Sequence, residues 1–169
     1  EVAGKWRDLL KTTAAHSALV VDNRNSCQFD ESGIVSSRPE LNIACGEDGL
    51  SLAGHHKGYV PRFGLKHGRR LSLEQQGEVL SGEDVLSGKS GVAYAVRFHL
   101  HPQMQASVIQ DGAEILLRSK CGVGWRFKGP EGVTLVLEDS VYGGEGEMPR
   151  RSKQIVIHGM TTGPETTVA

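Results

Sequence analysis

The chain has 169 residues, 38% of them hydrophobic, with 19 Lys and Arg against 20 Asp and Glu and a formal net charge of −1. That length fits one domain with a buried core, and the charge balance lacks the basic excess of a nucleic-acid module. No apolar run approaches the roughly 20 residues of a membrane helix, and the opening EVAGKWRDLL has no secretory h-region.

Trp6, Leu9 and Leu10 stand at i, i+3, i+4 spacing and predict a short helical segment over residues 5–10. It is too short to be stable alone. Beyond it the apolar runs are short and Asn, Asp and Gly recur between them, with 22 glycines in all. That is an all-β signature. Strands are expected at residues 17–22, at 41–45 and 50–53 around the turn Gly46-Glu47-Asp48-Gly49, and at 60–65 and 69–73. Gly77 marks a turn before 79–84, and residues 92–101 form the longest run. Residues 105–109 and 114–117 flank Asp111-Gly112, the dipeptide of a tight type I′ hairpin turn. Residues 125–127, 134–138 and 153–157 complete the set, and 143–149 read as a polar, Gly-rich loop. About a dozen strands with one short N-terminal helical turn imply an all-β, antiparallel β-sandwich, with residues 1–169 as a single domain.

Within the longest run, Val92, Tyr94, Val96, Phe98 and Leu100 share one face, and Arg97, His99 and His101 share the other. The second face suits a metal site, a groove reading anions, or a solvated sheet surface. Two imidazoles at HxH spacing need a third ligand; none stands nearby at a recognisable spacing, and Arg97 would repel a cation. A groove reading anionic groups is compatible with all three residues. His55 and His56 are adjacent, so one points to the core and one to solvent. The pairs Arg69-Arg70 and Arg150-Arg151 are ordinarily solvated, but converging in a groove they would suit a carboxylate- or sulfate-bearing sugar. Cys27, Cys45 and Cys121 match no zinc ribbon or CxxC spacing. They read as small buried hydrophobes, and an odd count leaves a free thiol, which favours a reducing compartment. No GxSxG, P-loop, GxGxxG or HExxH is present.

Several blocks then follow one another in a familiar order: TTAAHSALVVDNRNSCQF, GYVPRFGLKHGRRLSL, GEDVL, AVRFHLHP, GVGWRF and EDSVYGG. This series resembles the C-terminal part of the heparinase II/III-like family, in its bacterial, uncharacterised branch. The resemblance implies a parent polysaccharide lyase with an N-terminal helical toroid and a C-terminal β-sandwich. Such an enzyme cleaves uronic-acid-containing polysaccharides by β-elimination, using an acid–base pair and a group that stabilises the developing enolate. In the family those groups come from the toroid and an early sandwich strand, neither of which is expected within this chain. The chain begins with Glu rather than Met, and is expected to be a C-terminal piece of that larger lyase. No catalytic residue is therefore assigned, and the isolated chain is expected to be inactive.

The AAHS block resembles one in which the His helps to hold zinc, so His16 is the metal-ligand candidate. Its partner ligands are expected upstream, and no zinc is expected in this chain alone. Ser17 stands where Asn is common. Arg97, His99 and His101 become the substrate-binding candidates, shaping the concave sheet rather than performing chemistry. An acidic polysaccharide and the parent's toroid are the expected partners, with no nucleic acid and no membrane. The resemblance implies a periplasmic location, whereas cysteine usage favours the cytoplasm. The alternative is a non-catalytic carbohydrate-binding or scaffold domain, with Trp125 and Arg126 near a groove. A third reading builds a small metal site on His55, His99 and His101.

Overall fold

Short apolar runs broken by glycine leave the backbone little choice but extended pairing, and antiparallel strands dominate the chain. The structure, a computed structural model, describes residues 2–30, 32, 35–37, 41–47, 50–143 and 149–169. The strands in chain order are β1 (Leu19–Val21), β2 (Gln28–Phe29), β3 (Val35–Ser37), β4 (Leu41–Cys45), β5 (Ser51–His56), β6 (Leu65–Glu74) and β7 (Val79–Gly88). There follow β8 (Ala93–His99), β9 (Gln105–Ile109), β10 (Glu114–Arg118), β11 (Gly124–Lys128), β12 (Val136–Tyr142), β13 (Arg150–Met160) and β14 (Glu165–Val168). The sequence reading lacked β2, β3 and β14, which are short or polar.

Two helices accompany them. α1 (Val2–Leu10) is the expected N-terminal helix, extended by three residues. α2 (Val60–Phe63) corrects the strand expected at residues 60–65. Pro61 occupies the first turn, where its missing N–H is not needed, and Gly64 closes the helix in the left-handed region at φ 67°. Leu65 then opens β6.

The chain divides into two compact units. The first comprises residues 1–24 and 94–159. It holds a four-stranded sheet, ordered β1-β8-β13-β12, and a three-stranded sheet, ordered β11-β10-β9. Leu19, Val21, Val96, Ile155 and Ile157 of the larger sheet are buried, as is Ile115 of the smaller. Phe98 of β8 meets Phe127 of β11 edge-on, with ring centroids 4.9 Å apart, so the two apolar faces form one core. The expected alternation along β8 holds for Val96, while Phe98 and Leu100 are only half-buried. The opposite face of β8 is not simply wet, since Ala95 is buried there. The β9–β10 hairpin closes on the pair Ile109 and Glu114, a loop of four residues instead of a two-residue turn. Gln110, Asp111 and Gly112 all have positive φ, at 51°, 53° and 93°.

The second unit comprises residues 25–93 and 160–169. Its five-stranded antiparallel sheet has the order β14-β7-β6-β5-β4, beside the β2-β3 ribbon. Leu65, His67, Asp84 and Leu86 are buried on one face, whereas Lys66, Arg70 and Ser81 of the other are exposed. The β4–β5 hairpin pairs as expected; Asp48 and Gly49 of its turn lie outside the described residues. The cysteines depart from the buried reading. Cys45 is exposed on β4 and Cys121 in the β10–β11 turn, Cys27 is intermediate, and all three are free thiols.

Candidate functional site

The TTAAHS block folds as a 3-10 turn over Thr13–Ala15, with His16 at its C-cap in extended conformation. That turn brings the carbonyl of Ala14 against β8. His99 donates from Nε2 to Ala14 O at 3.0 Å. Because a carbonyl can only accept, the other ring nitrogen, Nδ1, accepts from the hydroxyl of Ser140 at 2.9 Å. The backbone N–H of His99 donates to Ser17 Oγ at 3.0 Å. Burial holds the His99 imidazole below its ordinary pKa; its bond to Ala14 opposes that, and the charges of Arg97 and His16 add to it. His99 is thus a neutral strut that ties the 3-10 turn to β8 and β12.

Next to it lies a shallow cavity of about 290 Å³, lined by Leu10, Ala15, His16, Ser17, His99, Val141, Tyr142 and Gly143. His16 is exposed at its rim. His101, exposed just beyond β8, packs its ring against Tyr142 with centroids 5.1 Å apart. The guanidinium of Arg150 lies 5.5 Å from the centre of the same Tyr142 ring. Around the Tyr142 ring, the N–H donors of His16 and His101 and the guanidinium of Arg150 suit an anionic ligand.

Arg97 lies elsewhere on the sheet. Its side chain is 13% exposed and reaches Glu138 on β12 at 3.3 Å. Gln154 of β13 donates to the same Glu138 oxygen at 2.9 Å, and His158 approaches the other at 3.5 Å. Of the three substrate-binding candidates, His101 faces a ligand-accessible surface, His99 forms part of the cavity wall, and Arg97 is committed to a carboxylate. Arg150, treated in sequence as half of a solvated pair, stands with them.

A zinc site does not follow from these residues. His16 offers one imidazole, and both nitrogens of neighbouring His99 are engaged. Among the described residues no group of three or more His, Cys, Asp or Glu side chains is arranged to hold a metal ion. His55 lies on β5 in the second unit, and His99 and His101 lie in the first.

The second unit contains a polar chain that sequence reasoning missed. Arg69 holds both oxygens of Asp84, Nε to Oδ1 at 2.9 Å and the terminal nitrogen to Oδ2 at 2.8 Å. His67 Nε2 meets Asp84 Oδ1 at 2.6 Å, His56 Nε2 meets His67 Nδ1 at 3.0 Å, and the N–H of Gly58 donates to His56 Nδ1 at 3.1 Å. His67 and Arg69 are i, i+2 neighbours on β6 and so share a face. That was the available signal; placing the strand start at residue 69 hid it.

Residues 2–169 match the family profile described as "Heparinase II/III-like, C-terminal". Among solved structures, heparan sulfate lyase HepC from Pedobacter heparinus matches over 99% of this chain and 25% of its own, with TM-score 0.77 and 15% identity. A heparinase III gene product matches over 98% of this chain and 25% of its own, with TM-score 0.73 and 14% identity. At such identities the likeness concerns the fold. Among curated proteins, "FtsZ-localized protein C" of Caulobacter vibrioides is 34% identical over 106 residues, 56% of this chain and 18% of that protein. The chain thus spans a quarter or less of the length of these relatives.

Proposed function

The chain belongs to the heparinase II/III-like family as its C-terminal domain, and from that premise we propose that it is the sandwich part of a polysaccharide lyase acting on uronic-acid-containing chains. In such a β-elimination a base removes the C5 proton, the C4–O4 bond breaks, and a C4–C5 double bond forms beside the carboxylate. One observation carries the division of labour. The imidazole of His99, which lines the cavity, has both nitrogens in internal hydrogen bonds, so it has no free site for taking a proton from a sugar. His99 is therefore not the base, and the acid and base belong to the rest of a longer protein, since this chain spans a quarter of the lyases it resembles. His16, His101 and Arg150 contact carboxylates or sulfates of the polysaccharide, with Tyr142 as the ring between them. Arg97 and His99 hold the sheet in shape.

The test is to incubate the purified chain with heparan sulfate, alginate and other uronates, and to follow near-ultraviolet absorbance and binding. Weak, salt-sensitive binding without growth of absorbance is expected, and the double change His101→Ala with Arg150→Ala should weaken binding at least tenfold. Absorbance that grows and is abolished by a point change within the chain would place the active site here and overturn the proposal. Binding unaffected by the double change would remove these residues from the site.

A second reading, a non-catalytic scaffold domain, is supported by one observation. The 34% identical stretch belongs to a protein named for localisation with FtsZ. Co-sedimentation of the chain with FtsZ polymers, together with absence of polysaccharide binding, would favour it over the lyase reading.

A further inference from the structure

The hydrogen-bond chain of the second unit has a property that individual bonds do not reveal: its protons can be arranged in only one way. The N–H of Gly58 can only donate, so Nδ1 of His56 accepts and its proton sits on Nε2. That Nε2–H then donates to Nδ1 of His67, which leaves the proton of His67 on Nε2. The second Nε2–H donates to Asp84, whose carboxylate is also held by Arg69 at both oxygens. The series crosses β5, β6 and β7 and passes through two residues nearly closed to solvent, His67 and Asp84. Gly58 is fixed in turn, because a side chain there would run into the carbonyl of Ser26.

We infer that this chain is a proton-operated lock on β5, β6 and β7, closed while both imidazoles are neutral and released when His56 takes up one proton. A second proton on His56 must go to Nδ1, where it faces the N–H of Gly58, donor against donor. Relaying the proton to His67 does not help. The Nδ1–H so formed on His67 would meet the Nε2–H of His56, unless His56 reversed its tautomer and again confronted Gly58. The groups facing His56 give it little support as a cation. His67 faces it from β6 and Tyr59 from the start of α2, His55 and Lys57 flank it in sequence, and the Arg69 guanidinium lies beyond His67 on Asp84. Among the described residues the carboxylate of this series is Asp84 on β7, and it already accepts from Arg69 and His67. In agreement, burial first, then the neighbouring imidazoles of His67 and His55, lower the pKa of His56 from 6.5 to about 4.

The sign follows from linkage. A histidine depressed on folding takes its proton more readily when unfolded, so its stabilisation is intact above pH 6.5 and is lost as pH falls toward 4. For one proton, the folding equilibrium constant drops up to about tenfold per pH unit across that window. His99 in the first unit shifts in the same direction, so the measurement must be local.

The experiment combines nitrogen-15 NMR of the imidazoles with amide hydrogen exchange of the whole 169-residue chain between pH 7.5 and 4.5. Expected are Nε2–H tautomers on both His56 and His67 at neutral pH. Protection at Gly58 and in β5–β7 should fall several-fold per unit of acidification, and the fall should flatten in His56→Gln. An Nδ1–H tautomer on either ring overturns the inference, as does a fall in protection that persists unchanged in a folded His56→Gln chain. If that variant does not fold, the tautomers and local exchange of the unaltered chain still decide.

Discussion

His99 donates from Nε2 to the backbone carbonyl of Ala14, 85 residues earlier in the chain, at 3.0 Å. The bond joins the two segments that stand out most in the sequence, AAHS and FHLHP. It also decides what His99 can do, since Ser140 fills its remaining nitrogen. Replacing His99 with Ala should strand a carbonyl and a hydroxyl, and destabilise the first unit by about 1–3 kcal/mol in chemical denaturation. Because its pKa lies below the ordinary value, the stabilisation from neutral His99 is intact above pH 6.5 and diminishes as pH falls through the folded value. A His99→Ala chain as stable as the unaltered one would show that the 3-10 turn does not depend on this strut.

Glu138 gathers Arg97, Gln154 and His158 on the same sheet. Changing it to Gln leaves the mostly buried guanidinium of Arg97 without its charge partner. A loss of about 2 kcal/mol is expected, the range of hydrogen bonds to charged groups. Equilibrium unfolding of Glu138→Gln measures it, and the double change with Arg97→Met should recover part of the loss, because the stranded cation is then gone.

Phe98 and Phe127 join the two sheets of the first unit. Phe98 is half-buried, so Phe98→Ala should fall at the lower end of ring deletions, about 3 kcal/mol. A double-mutant cycle with Phe127→Ala should return a coupling of about 0.5–1.5 kcal/mol. Strict additivity would mean that the rings are not in contact in solution.

Asp84 in the second unit carries two partners at once. Burial raises its pKa, but the bonds from His67 and Arg69, with the charge of Arg69, outweigh burial and hold it below 3.8. Its stabilisation is therefore present above pH 3.8 and lost as pH falls through the still lower folded value, outside the window in which His56 titrates. Asp84→Asn should cost about 3–5 kcal/mol, because it leaves the Arg69 charge uncompensated. Thermal unfolding at pH 7 tests the magnitude, and a variant with an unchanged melting point would deny the pair any structural role.

The local sequence determined the class of fold and much of its strand content. Alternation of Val92, Tyr94, Val96, Phe98 and Leu100 is a period-2 signal that each residue carries with its neighbours, so β8 could be read directly. The dipeptide Asp111-Gly112 likewise announced the hairpin of residues 105–109 and 114–117, of which the second strand runs one residue further, to Arg118. The order of the blocks showed the family, and with it the sandwich. Residues 60–65 misled because an apolar run holding Pro61 also fits one helical turn ended by a left-handed Gly64. Which side chains meet was settled by tertiary structure alone. Arg97 reaches Glu138 across the intervening β13, and Arg69 lies opposite Asp84 with His67 diagonal to it, only because the strands of each sheet pair in one register. A one-residue slip would turn those groups to the other face. Periodicity places a side chain on a face of its own strand; it carries no information about the strand that comes to lie beside it.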